Sequence, residues 1–399
     1  MEQNIHSIRS IQMKYRVNPK NNDQLSVLGF GCMRFNKDEA EVERQIIHAI
    51  ESGVNYFDTA YIYPGSEVTL GKVLAKGYRE KVKIATKLPP YLVKKYEDFD
   101  KLFNAELQRL QTTYIDYYLM HMLTDITTWN RMVALGVLDW IEDKKAKGQI
   151  INIGFSYHGG KDEFIKIVDC YDWEFCMIQY NYLDENNQAG KSGLKYAASK
   201  GLPVMIMEPL RGGKLVSNLP KSVYDTFAKS SHKRSPAEWA FRWIWNHPEV
   251  TLVLSGMNSM EMLDENIRVA SDAEAGAFGE EEFEIFKKVR HILDEAIKIP
   301  CTGCNYCMPC PFGVDIPTCF SCYNDREIEG KMAAKYKYIM QTSLKTQSTN
   351  ASLCTQCGKC ESHCPQKIEI RKELKRVTKA LEGIHYKPAR FVLKKFMKF

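Results

Sequence analysis

No stretch of 18 consecutive apolar residues occurs in the 399-residue sequence, so no segment has the length and hydropathy of a membrane-spanning helix. The N-terminus also lacks the apolar core of a secretion signal, and a cytoplasmic protein is expected. The G-x-G-x-x-G fingerprint of doubly wound dinucleotide-binding sheets is missing as well. Acidic residues are scarce toward the C-terminus: residues 301–399 hold 17 Lys and Arg against 8 Asp and Glu, whereas residues 1–300 hold 38 against 41. That split predicts two parts of different character, and nothing in it calls for a nucleic-acid partner.

Cysteine is equally uneven: ten of the 13 lie within residues 301–364, and only Cys32, Cys170 and Cys176 fall elsewhere. Two runs carry them, CTGCNYCMPCP at 301–311 and CTQCGKCESHCP at 354–365. Thiolates at every third position let one tight loop wrap three corners of an iron–sulfur cube, and each run closes in Cys-Pro, the ligand pattern of a two-cluster ferredoxin. The second run matches the bacterial spacing without a gap, while the first separates Cys307 and Cys310 by two residues rather than three. The fourth cysteine of each run reaches across to the other cluster. The expected ligand sets are therefore Cys301, Cys304, Cys307 and Cys364 for one 4Fe-4S cluster, and Cys354, Cys357, Cys360 and Cys310 for the other. Paired zinc sites or a disulfide framework also use C-x2-C, but neither needs a fourfold run closed by Cys-Pro. Cys319 and Cys322 are expected as packing residues, since eight cysteines complete two clusters.

The remaining 300 residues are enough for a large core. Short β-rich runs alternate there with amphipathic stretches. Strands are predicted at 28–35, 54–60, 82–88, 115–121, 151–156, 176–181, 202–208 and 250–256, with helices such as Glu39 to Ser52, Phe99 to Leu110 and Trp129 to Lys147 between them. Eight such units predict an α/β fold, a (β/α)8 TIM barrel, followed by a small ferredoxin-like 4Fe-4S domain. Catalytic groups of such barrels lie at the carboxyl ends of strands. The second predicted strand ends in Asp58 with Tyr63 in the loop beyond it, the third ends at Lys87 and the fourth at His121. Each alone has a bland explanation, but four at consecutive strand ends predict a catalytic site.

The segments FDTAYIYPGSE, IATKL, YLMHML, IGFS and MIQYN resemble the strand-end motifs of the aldo-keto reductases, over residues 13 to about 272. The resemblance implies a tetrad of Asp58, Tyr63, Lys87 and His121 and a nicotinamide cofactor across the barrel mouth. With the cysteine runs added, the chain resembles the prokaryotic ferredoxin-fused branch of that family. Members of that branch start near Met13, so residues 1–12 read as a leader or a misplaced start. The expected domains are that leader, a barrel over 13–295, a two-cluster domain over 296–385 and a basic amphipathic tail over 386–399. Ser156 and Gln179 stand where the family holds the nicotinamide amide, with Tyr157 in place of the expected Asn. Gly256, Met257 and Met262 replace the Lys, Ser and Arg that grip the NADPH 2′-phosphate, while Glu265 and Asn266, facing the adenine, are retained. NADPH and NADH are both left open.

The turn Arg211, Gly212, Gly213 and Lys214 offers N–H groups and charge for a pyrophosphate. Clusters pass single electrons while nicotinamide exchanges a hydride, so a flavin is the cofactor that would bridge them. The expected function is reduction of an aldehyde or ketone, or oxidation of the alcohol, with electrons linked through the clusters to a soluble carrier. The formal +9 of residues 301–399 suits an acidic ferredoxin or flavodoxin. Two alternatives are a nicotinamide-dependent carbonyl reductase with purely structural clusters and a nicotinamide-sensing regulatory protein. His158, in the loop after the fifth predicted strand, is a further candidate to touch substrate or cofactor.

Overall fold

The computed structural model describes residues 12–217, 219–328, 330–343 and 347–396, so the expected leader lies, apart from Gln12, outside the described residues. The chain divides into two units. One runs up to Pro209 and includes Glu238–Ala277; the other joins Leu210–Ala237 to the residues from Phe278 onward. The expected barrel boundary at 295 differs from this division.

The first unit opens with an antiparallel hairpin of β1 (Tyr15–Val17) and β2 (Gln24–Ser26). Eight parallel strands follow: β3 (Leu28–Gly31), β4 (Tyr56–Asp58), β5 (Lys83–Leu88), β6 (Ile115–Leu123), β7 (Ile150–Tyr157), β8 (Phe175–Gln179), β9 (Val204–Met207) and β10 (Val250–Ser255). They close into a barrel when β10 pairs with β3, so every run predicted from the sequence is a barrel strand. Near-continuous apolar runs are what a strand covered on both faces requires, and seven of the nine β6 residues are apolar or aromatic, the exceptions being Asp116 and His121. Tyr56, Tyr117, Phe175, Met177, Met205 and Leu252 belong to the core cluster that fills the barrel. Tyr117 meets Tyr56 and Phe175 edge to face, at centroid separations of 5.2 and 5.0 Å. Such contacts are worth about 0.5–1.5 kcal/mol each beyond burial.

The surrounding helices follow the expected amphipathic stretches with one exception. The predicted helix from Trp129 to Lys147 is two helices, Ile126–Ala134 and Val137–Ala146. Gly136 between them takes φ 90°, a left-handed conformation that ends a helix and that glycine adopts without a Cβ clash.

The second unit is built on the helices Ile316–Ile328, Lys331–Thr342 and Ile370–Leu381, which share a core containing Phe320, Tyr338, Leu374 and Val377. Buried Tyr338 donates to Glu382 Oε1 (2.5 Å) and accepts from Ala351 N (2.7 Å). Cys319 and Cys322 are fully buried in the same core. The segment Leu210–Ala237 belongs here because the helix Lys221–Ala228 meets the helix Glu280–Ala296: Phe227 lies 6.4 Å from Phe286, and Glu281 accepts from Ser230 Oγ (2.9 Å) and Ser231 N (2.8 Å). The expected tail begins as the helix Tyr386–Phe396, with Tyr386 buried on Ser343 at 2.5 Å and Phe391 exposed; side chains beyond Phe391 lie outside the described residues.

One buried carboxyl has a measurable consequence for the barrel unit. Glu106 is fully buried in the helix Glu97–Leu110 and accepts from Tyr118 OH (2.6 Å), while its Oε1 has no hydrogen-bond partner among the described residues. Burial, reinforced by nearby Glu67 and opposed by the Tyr118 bond, holds its pKa well above the usual 4.5. The unfolded chain therefore ionises first as pH rises, and stability falls by about 1.4 kcal/mol per pH unit until the folded group titrates. Glu106→Gln removes this titration, so its stability between about pH 5 and 7 is expected to be flatter than that of the wild type. Equal pH slopes in chemical denaturation would contradict the assignment.

Candidate functional site

Asp58, Lys87 and His121 sit on three adjacent strands. Asp58 closes β4, Lys87 is the penultimate residue of β5, and β6 carries His121. The pairings Asp58 with Ala85 and Lys87 with Leu119 bring these ends level. β6 runs two residues past its predicted end through a register irregularity between Met120 and Leu123, where Met122 takes φ 57° and donates its N–H to Ser156 Oγ (2.8 Å). A bulge of this kind re-aims a neighbouring side chain.

Lys87 is 1 % exposed and its Nζ donates to Asp58 Oδ1 and to the carbonyl of Thr59, both at 2.6 Å. The same Nζ lies 5.2 Å from the centroid of the Tyr63 ring, which meets His121 edge on at 6.0 Å. The Tyr63 loop is fixed by Thr59 and Ser66, whose hydroxyls share a 2.7 Å hydrogen bond, and by Ser66 Oγ donating to Cys32 O (2.9 Å). The four residues expected at the strand ends are thus brought together, with Tyr63 half-buried and the other three buried.

Electrostatics divide their protonation states. Burial raises the Asp58 pKa, and the charge and hydrogen bond of Lys87 oppose that rise. Burial, then Lys87, then His158 hold His121 well below 6.5, so its imidazole is neutral near pH 7. A neutral ring beside an ammonium donates a hydrogen bond without adding a second charge.

The candidate cofactor residues fall into three groups. Ser156 is the buried penultimate residue of β7, and its hydroxyl, having accepted from Met122, retains a proton to donate. Gln179 closes β8 within a hydrogen-bonded row that the sequence reading missed: Gln179 Nε2 donates to Asp184 Oδ2 (2.8 Å), Gln188 Nε2 donates to Gln179 Oε1 (2.9 Å), and Gln188 Oε1 meets His158 Nδ1 (3.2 Å). A carboxylate only accepts, so Asp184 fixes both amides and makes His158 Nδ1 the donor. The signal was the polar loop NYLDENNQ directly after β8. His158 is buried, and burial together with Lys87, against the Gln188 bond, holds it down to about 4. Tyr157, in place of the expected Asn, packs against Phe164 at 5.0 Å and donates to Gly160 O (2.5 Å), so its side chain belongs to the layer between strand and helix.

In the last barrel loop Gly256 is exposed and Met257 buried. Met262 lies half exposed in the helix Met260–Ala270, Glu265 is half-buried, and Asn266 donates to Ser255 Oγ (3.1 Å). Arg211, Gly212, Gly213 and Lys214 fall in the second unit, where Arg211 Nη2 donates to Pro300 O (3.2 Å), the residue before Cys301. That guanidinium fixes the entry to the first cysteine run.

In the second unit Cys301, Cys304, Cys307 and Cys364 line one cavity walled by apolar side chains such as Phe320 and Ile368. Burial raises the Cys307 thiol pKa, and Cys301, Cys304 and Cys364 raise it further. Burial likewise pushes Cys360 up to about 11, with Glu361, Cys354 and Cys310 adding to the rise. The first grouping combines three cysteines of one run with the last of the other, and the second brings Cys354 and Cys360 together with Cys310, an exchange between runs that fits the donor sets of 4Fe-4S clusters. Among the described residues no three His, Cys, Asp or Glu side chains are grouped as for a single metal ion; a four-iron cube spreads its thiolates around a larger body.

The model of the aldo/keto reductase family matches residues 27–290, and that of the 4Fe-4S dicluster domain matches residues 300–369. Protein tas of Escherichia coli (strain K12) is 24% identical over 319 residues, covering 64% of this chain and 92% of that protein. The uncharacterized oxidoreductase YrpG of Bacillus subtilis (strain 168) is 26% identical over 306 residues, covering 64% and 90%. Among solved structures, the holo form of aldo-keto reductase AKR11C1 from Bacillus halodurans has a TM-score of 0.59 and 24% identity, covering 70% of this chain and 96% of its own. An aldo-keto reductase from Klebsiella pneumoniae in complex with NADPH has a TM-score of 0.57 and 22% identity over the same shares.

Removing Asp58 strands a buried cation. Asp58→Asn is expected to lower the stability of the barrel unit by about 3 kcal/mol in chemical denaturation at neutral pH, because breaking a buried pair leaves its partner uncompensated. Wild-type stability in that variant would mean that Thr59 alone suffices to hold Lys87.

Proposed function

This chain belongs to the aldo/keto reductase family and is an oxidoreductase with a C-terminal 4Fe-4S dicluster domain; we propose that it reduces an aldehyde or ketone, or oxidises the corresponding alcohol, with electrons linked to a soluble carrier through two clusters. The observation that carries this reading is the buried Lys87 ammonium, held at 2.6 Å by both Asp58 and Thr59 beneath the Tyr63 ring.

Carbonyl reduction needs a hydride at carbon and a proton at oxygen. A nicotinamide held at the barrel mouth would supply the hydride. Tyr63 supplies the proton, and a phenol with an ordinary pKa near 10 gives one up reluctantly. The Lys87 charge favours the phenolate left behind, and Asp58 keeps that charge in place. Neutral His121 donates to the carbonyl oxygen as negative charge builds there, which both orients the substrate and stabilises the transition state. Ser156 and the Gln179 amide are the residues proposed to hold the nicotinamide carboxamide. The exposed, uncharged Gly256 and Met262 offer no cation to a 2′-phosphate, so both NADH and NADPH remain within the proposal. The NADPH of the Klebsiella pneumoniae relative is consistent with a nicotinamide at this site.

The assigned ligands are Cys301, Cys304, Cys307 and Cys364 for one cluster and Cys354, Cys357, Cys360 and Cys310 for the other. Single electrons at the clusters and a two-electron hydride need a converter, and a flavin is the cofactor class that provides one. Thiolate-bound clusters suit a reducing compartment, and a cytoplasmic setting is part of the proposal. A second reading, clusters serving structure alone, draws support from Cys301, Cys307, Cys310, Cys354, Cys360 and Cys364 packing against the apolar core of their unit.

Tyr63→Phe separates chemistry from binding. Its turnover of carbonyl substrates is expected to fall by about 10²–10⁴, the usual worth of a general acid, with nicotinamide affinity nearly unchanged in fluorescence titration. Substantial turnover in that variant would remove Tyr63 from the acid role.

A further inference from the structure

We propose that electrons enter this protein on the side of the second unit formed by Cys354, Cys357 and Cys360, across a docking face for an acidic, one-electron redox protein. The inference rests on the reading of these cysteines, with Cys310, as ligands of one cluster.

The two cysteine groups differ in access. Cys301, Cys304, Cys307 and Cys364 line an apolar-walled cavity, and none of the four is exposed, whereas Cys357 is exposed to solvent. Two large apolar side chains flank the second group at the surface: Phe312, two residues after Cys310, is 45% exposed, and Leu353, directly before Cys354, is 37% exposed. A small apolar centre around an accessible redox group suits a brief encounter with a carrier, since such contacts are small and their rims polar.

Charge supplies the rim. The helix Ile370–Leu381 begins against the second cysteine loop: Gln356 Nε2 donates to both Cys354 Sγ (3.3 Å) and Arg371 O (3.5 Å), and a Cβ on Gly358 would lie 3.6 Å from Arg371 Cζ. The helix buries Ile370, Leu374, Val377 and Leu381, so its basic residues face outward. Three of them are neutralised locally, Arg371 by Glu361 (2.8 Å), Lys372 by Glu369 (2.5 Å) and Arg376 by Glu373 (2.9 Å). Lys375 and Lys379 are exposed with no ion-pair partner among the described residues, as are Lys359, which opens the short helix Lys359–Ser362 within the second cysteine run, and Lys367 just beyond Cys364. Four uncompensated ammonium groups beside an accessible cysteine loop complement an acidic partner and would steer its approach. Each encounter passes one electron, oxidising the carrier and reducing the module by one, and two encounters match one hydride.

The test compares cluster-replete wild type with a Lys375→Glu, Lys379→Glu double variant of equal iron content. Affinity for a small, oxidised, acidic 2Fe-2S ferredoxin is measured by calorimetry across a salt series. Reduction by the same carrier, and separately by dithionite, is followed by visible absorbance under anaerobic conditions. The expected result is binding and carrier-driven reduction weaker by about 10-fold or more at low salt, a flatter salt dependence, and unchanged reduction by dithionite. Equal affinity and equal carrier-driven rates in the two proteins overturn the docking face while leaving the carrier-linked reading of the clusters in place. A wild type that dithionite bleaches but the carrier neither binds nor reduces overturns both.

Discussion

A buried ion pair, Lys87 with Asp58, is the constraint on which the barrel mouth depends. Lys87 is buried, and its Nζ is held by both Asp58 and the Thr59 carbonyl at 2.6 Å. The cost of desolvating that pair appears in the raised pKa of Asp58, where burial outweighs the attraction of Lys87. A hydrophobic pair of similar size would give the barrel comparable stability, so retention of the ions points to chemistry. The same charge acts outward on both histidines, helping burial to keep His121 and His158 neutral.

Much of this was legible because a parallel barrel turns sequence position into spatial position. Once the eight apolar runs are assigned in register, residues at their carboxyl ends must converge, and Asp58, Lys87 and His121 needed no further information. The cysteine runs were legible for a related reason, since ligand spacing is a local property of a loop. The irregular features were not. The bulge at Met122 depends on Ser156, a hydroxyl one strand away, and no periodicity in β6 announces it. Tyr157 takes the position of an expected cofactor ligand, yet its ring finds Phe164 in the helical layer. The contact of the Arg211 guanidinium with Pro300, 89 residues later in the chain, is likewise invisible in the turn that carries it. Each of these outcomes is set by a tertiary partner that a local pattern does not contain.

The two units answer different physical problems. The barrel holds its reactive groups by burial and ion pairing, while the smaller unit wraps its cysteine loops around a core of three helices. The proposed carbonyl reduction driven by a one-electron carrier would give a reason to join them in one chain, since single electrons must then be gathered and delivered as a pair.

The most direct test supplies cluster-replete, flavin-supplemented protein with NADH and then NADPH under anaerobic conditions and follows the broad visible absorbance of the iron–sulfur centres. The account predicts bleaching by at least one nucleotide, because nicotinamide and clusters belong to one circuit. Absorbance that persists with both nucleotides, in a preparation that dithionite bleaches and that still reduces aldehydes with nicotinamide, would contradict it and leave the clusters a structural role.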